Sequence, residues 1–155
     1  MRSCETPHSD SSPVHELRFA DCDQLSELIT SGDIEFIQLG AGPCQASMTR
    51  IDLDGFYLLL TDVPNRIAIH AASQKDLRVI HIPLRWTGSL HWNGKIVDRS
   101  GVIVWGDSCD YSRVGEDVRI IALLIDESLL RERIETWLPS SHSLWDSLDG
   151  HMLAV

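Results

Sequence analysis

Between residues 34 and 125 the chain is a succession of short runs rich in Ile, Val, Leu and aromatic residues, each closed by Gly, Pro, Asn or Asp. Runs of this length suit strands, and no helical stretch separates them. The spacing predicts roughly nine strands, at 34–39, 45–53, 56–61, 66–71, 77–84, 90–92, 95–97, 102–105 and 108–114, closed by 118–125. Asn93-Gly94 is the clearest hairpin, because this pair tolerates the positive φ of a type I′ turn. Gly115-Glu116-Asp117 is the next best turn. Strands without intervening crossover helices give an antiparallel sandwich or barrel, not an α/β fold.

Helices are expected only at the two ends. Residues 1–17 are rich in Ser, Pro, His and Asp and lack periodicity, so they read as a mobile arm. Asp21 and Gln24 then open a helix over 21–31, with Leu25, Leu28 and Ile29 at helical spacing and Gly32 closing it. Asp126 caps a second helix over 127–138, and Pro139 helps stop it. The tail 139–155 carries Leu144, Trp145, Leu148, Met152 and Leu153, and reads as a short docking helix or the start of a linker. One domain over 18–138 suits a chain of 155 residues.

Thirteen Lys and Arg stand against 23 Asp and Glu, a net charge of −10. The Arg are scattered singly, and no basic run exists to neutralise a phosphate backbone, which disfavours direct nucleic-acid binding. The four cysteines form no CxxC pair and no apolar leader precedes the domain, so free thiols in a cytoplasmic protein are expected. The longest apolar runs span five or six residues, against the roughly 20 needed to cross a bilayer.

Chemistry-bearing residues are sparse. His70 and His81 fall on what read as neighbouring strands, but no third ligand joins them as a catalytic metal site requires, so His81 reads as a core or pocket histidine bonded to backbone. No nucleophile elbow is present, and Cys44 and Cys109 sit in strand contexts that suit inert thiols. Gly40-Ala41-Gly42-Pro43 lies between strands without a following helix, which excludes a phosphate-cradling loop. More suggestive are Trp86, Trp92 and Trp105, with Tyr111 and His91 close by. An aromatic wall with a few polar groups suits a small effector, and it also suits a plugged barrel end.

Several stretches together resemble the N-terminal cupin-like domain of AraC-type transcription regulators. They are 34–48 (Ile-Glu-Phe-Ile-Gln-Leu-Gly-Ala-Gly-Pro-Cys-Gln-Ala-Ser-Met), 80–84 (Ile-His-Ile-Pro-Leu), 94–95 (Gly-Lys), 101–107 (Gly-Val-Ile-Val-Trp-Gly-Asp) and 120–130. The resemblance implies a jelly-roll barrel, a double-stranded β-helix, followed by helices that dimerise, with a small-molecule effector inside the barrel. The pocket residues would be His70, His81, Trp86, Trp92, Trp105 and Tyr111. Leu130, Ile134 and Trp137 would form the two-fold contact of a homodimer. In that family a separate half with two helix-turn-helix units binds DNA, and nothing after Pro139 matches it. The chain is then either part of a longer regulator or a stand-alone partner of one. The His and Glu motifs of metal-dependent cupin enzymes are missing, so no cofactor and no enzymatic activity are expected. A cupin enzyme with scattered ligands is the alternative.

Overall fold

The computed structural model describes residues 13–28, 32–73, 75–106, 110–137 and 152–154. Ten strands and two helices follow in the order β1 (Val14–Phe19), α1 (Cys22–Leu28), β2 (Gly32–Gln38), β3 (Ala46–Leu53), β4 (Phe56–Val63), β5 (Ile67–Ser73), β6 (Leu77–Trp92), β7 (Lys95–Ile96), β8 (Gly101–Gly106), β9 (Asp110–Asp126), α2 (Glu127–Trp137) and β10 (Met152–Ala154). Every pairing among the described residues is antiparallel.

Two long strands organise the sheet. The first part of β9 pairs with β5, which in turn pairs with β2, while the rest of β9 pairs with β4. On its other side β9 runs against β6 for most of its length, and the first part of β6 also holds β8. One course is therefore β1-β3-β4-β9-β6-β8-β10, and a second, β2-β5-β9-β6, branches from the same two strands. The sheet curls so that one face of every long strand lies inside, around Leu59, Ile69, Val79, Ile103, Trp105, Ile120 and Leu124.

The sequence reading broke both long strands in two, and side-chain parity shows why. In β9 the inward residues are Tyr111, Arg113 and Gly115, then Val118, Ile120, Ala122 and Leu124, so the parity flips between 115 and 118. One extra residue does this, the signature of a β-bulge. Asp117 supplies it with φ of 50°, its N–H donating to the Pro64 carbonyl at 3.2 Å. The expected turn at Gly115-Glu116-Asp117 is thus a bulge inside a strand. β6 behaves likewise: Val79, His81 and Pro83 point inward, then Trp86, Leu90 and Trp92, with register shifts between Pro83 and His91. Pro83 has no N–H to give the ladder, which suits its place beside the first shift.

The ends differ from expectation as well. Residues 14–17, expected within the mobile arm, belong to β1, which aligns residue by residue with β3 from Val14 opposite Ile51 to Phe19 opposite Ala46. Phe19 is buried, and that contact anchors the strand. Residues 1–12 lie outside the described residues. Asp21 caps α1 by accepting the Asp23 N–H at 3.0 Å, but Gly32 opens β2 instead of closing the helix. Of the tail, Met152–Ala154 forms β10 on the edge of β8, neither a helix nor a linker, while 138–151 lie outside the described residues.

The C-terminal helix is capped as expected. Asp126 Oδ1 accepts the N–H groups of Ser128 and Leu129 at 2.9 and 3.1 Å, and the bond from the Ser128 hydroxyl, with these two, holds its carboxyl below the usual range. Leu129 packs against the β3–β4 turn at Gly55, occupying the space a side chain there would need, and the Gly55 φ of 82° also suits glycine. Beneath α1, Cys22 and Cys44 are both free and buried, with sulfurs 2.7 Å apart. Burial, together with the neighbouring thiol, pushes Cys22 up to about 12, which keeps it protonated and inert.

Candidate ligand-binding cavity

β8 lies beside the first part of β6 and the first part of β9 beside its last part, and their inward aromatics meet around His81. The His81 ring stacks on Trp105 with centroids 5.6 Å apart and meets Trp92 edge-on at 4.8 Å and Tyr111 at 5.8 Å. Trp92 in turn lies flat on Tyr111 at 4.5 Å, and Trp105 leans against the same ring at 4.4 Å. Four of the expected pocket residues are thereby gathered into one buried cluster.

His81, Trp105 and Tyr111 line a cavity of about 60 Å³. Its walls are Phe36 from β2, Leu59 and Thr61 from β4, Ile69 from β5 and Ile120 and Leu124 from β9. This volume is below the roughly 300–1,000 Å³ of most ligand pockets, so the barrel centre is mostly filled by side chains. The cavity adjoins a second, wider hollow. Ile34, Ala71, Ala72 and Tyr111 line both it and an open hollow of about 710 Å³, whose other walls include Asp33, Glu35, His70, Asn93 and Asp110. The arrangement is a wide, acidic mouth beside a small inner cavity.

His70 is accordingly at the mouth and exposed, not beside His81. β9 lies between their strands, which are not neighbours as expected. Trp86 sits elsewhere. It follows the register shift in β6 and lines a separate hollow with Ile96 and Val97, its ring covered by the Arg99 guanidinium at 5.1 Å. Trp92 backs the cavity by stacking on Tyr111 and does not line it.

The electrostatics of the inner cavity are unusual for a protein core. The expected backbone hydrogen bond to His81 is not made: both its ring nitrogens and the Trp105 Nε1–H are buried without a hydrogen-bond partner among the described residues. Arg113, only 4% exposed, lines the same cavity. Burial, reinforced by the Arg113 charge, drives His81 well below its ordinary range, so it is neutral. Burial also raises Tyr111 and lowers Arg113. Sequence reasoning passed over Arg113 as one of the singly scattered arginines, although its inward parity, two residues after Tyr111, marked it.

Among the described residues no group of three or more His, Cys, Asp or Glu is placed to hold a metal ion. No helix among them is long and apolar enough to cross a membrane. Of the expected dimer residues, Leu130 and Ile134 are half-buried on α2, and the Trp137 side chain lies outside the described residues.

No protein-family model matches the chain, and no curated protein does. Its fold is similar to the crystal structure of the AraC-like transcriptional activator CuxR, with a TM-score of 0.58 and 11% sequence identity. The match covers 77% of this chain and 49% of that one, so it spans about half the activator's length.

Proposed function

We propose that this chain is the effector-sensing barrel of an AraC-type transcription regulator: a non-enzymatic, cupin-like double-stranded β-helix that works in the cytoplasm as a homodimer, with DNA contacted by a separate half. The carrying observation is the small cavity lined by His81, Trp105 and Arg113 beside an open hollow, since the His81 ring nitrogens and Trp105 Nε1–H are buried without partners among the described residues, which is what an effector would satisfy. The fold similarity to an AraC-like activator supports the same reading. The acidic balance fits a sensing half, because grip on DNA requires clustered Lys and Arg.

Two measurements test it. A thermal-shift screen of sugars, alcohols, amines and carboxylates is expected to contain compounds that raise the melting temperature. An effector at a hundredfold its Kd adds about 2.7 kcal/mol, or roughly 5–10 °C for a chain of this size. Ala71→Leu, which adds bulk where the mouth and the cavity share a wall, is expected to abolish the shift. A screen without a responder removes the sensing role. In the second, the Leu130→Asp/Ile134→Asp double variant is expected to sediment as a folded monomer where the parent sediments as a dimer. An unchanged sedimentation coefficient assigns α2 to packing alone.

A further inference from the structure

Most arginines in the sheet are matched to carboxylates. Arg50 binds Asp52 at 2.7 Å, Arg78 binds Glu127 at 3.1 Å, and Arg85 binds Asp62 and Asp117 at 3.0 and 2.9 Å. Arg113, though more deeply buried than Arg50 or Arg85, forms no ion pair with any described carboxylate. An unpaired guanidinium in an apolar cavity is costly, and it cannot shed its proton to escape. The groups around it offer no negative charge. Tyr111 is a neutral phenol held protonated by burial, His81 is a neutral imidazole, and Thr61 is a hydroxyl.

The same cavity holds a second unmet demand, for an acceptor, at Trp105 Nε1–H. A group that is anionic and carries more than one acceptor oxygen answers both. Space limits what this group can be. A cavity of about 60 Å³ is worth roughly two water molecules at about 30 Å³ each, enough for a carboxylate head and little more. The body of the ligand then occupies the adjoining hollow of about 710 Å³. There Asp33, Glu35 and Asp110 line the wall, so a second negative charge on the ligand meets like charges while a neutral or cationic outer end does not.

We propose that the cavity takes a small organic monocarboxylate, its carboxylate on Arg113 and the Trp105 Nε1–H, its body in the acidic mouth. This rests on the sensing role proposed above and adds the chemical class of the effector. Arg113 and Trp105 are the specificity-determining residues: one supplies charge, the other direction.

The test uses the full chain at constant ionic strength in sodium chloride, read by thermal shift and by intrinsic tryptophan fluorescence. The probes are butyrate and phenylacetate, with 2-phenylethanol, 2-phenylethylamine and succinate as the uncharged, cationic and dianionic counterparts. Butyrate or phenylacetate is expected to raise the melting temperature and change the emission of the cluster, with the other three at least tenfold weaker. Arg113→Met is expected to lose the carboxylate response entirely and to melt no lower than the parent without ligand, because an unmatched buried charge has been removed. Arg113→Lys keeps part of the response. Should the Met variant fail to fold, Trp105→Phe serves instead, with affinity for the carboxylate reduced about tenfold.

Silence from both monocarboxylates overturns the proposal, as does a response that survives Arg113→Met. If 2-phenylethanol alone shifts the melting temperature and Ala71→Leu abolishes that shift, the sensing role stands and the anion preference falls. If no probe of any charge acts, the monocarboxylate class falls, and the sensing role falls only if the wider screen is silent too.

Discussion

His81 carries the sharpest pH signature of any single side chain here. Its proton is refused in the folded state because burial disfavours the charge, whereas in the unfolded chain it titrates near 6.5. Below that pH the unfolded state binds a proton that the folded state does not, so stability is whole above about 6.5 and falls as pH drops beneath it. Stability therefore falls between about pH 7.5 and 5.5 through His81. Urea unfolding of His81→Leu at the two pH values is expected to lack that fall, and the variant gains stability at the lower pH because its ring nitrogens were unpartnered. An identical pH slope in parent and variant removes the assignment. Legibility in the sequence followed inwardness at this scale. His81, Trp92, Trp105 and Tyr111 were readable because each sits at an inward position of a recognisable run. His70 was misread because strand adjacency, which depends on distant pairing, has no local signal. Arg113 was missed because a lone arginine ordinarily faces water.

Among elements, β9 shows how one residue governs a wall of the cavity. Its bulge at Asp117 lets Tyr111 and Arg113 face inward while Ile120, Ala122 and Leu124 do the same five or more residues on. Without it, either the polar end or the apolar wall points outward. Local reading of composition saw Gly-Glu-Asp and stopped the strand, since a turn and a bulge share the same residues. Gly115 beside the bulge is a tight spot: a Cβ there meets Val118 Cγ2 at 2.7 Å and Leu90 Cδ1 at 2.8 Å. Gly115→Ala is therefore expected to destabilise by about 1–3 kcal/mol, measured as a lowered denaturation midpoint with an unchanged m-value. A neutral result shows that β6 and β9 yield there at no cost. The α2 cap was legible in full, because an Asp before a helix acts through its own backbone neighbours and needs no tertiary partner.

At the scale of the whole molecule, β6 and β9 belong to both courses of the sheet, so neither course has an interior of its own. Unfolding is expected to be one transition, with tryptophan fluorescence and far-ultraviolet circular dichroism melting at the same denaturant concentration. Two separated transitions contradict a shared core. The mainly β character was plain in the sequence, but the branching was not, because it arises from which edges remain free once the two long strands have paired. The order of the strands along the chain has a consequence during synthesis. β4, β5 and β6 all await β9, which leaves the ribosome after eight other strands. Until residue 126 has emerged, three sheet edges and the apolar faces beside them stay open, a state prone to aggregation that chaperones shield. Pairs such as β3–β4 and β2–β5 can form earlier, but the barrel closes only when β9 joins them to β6.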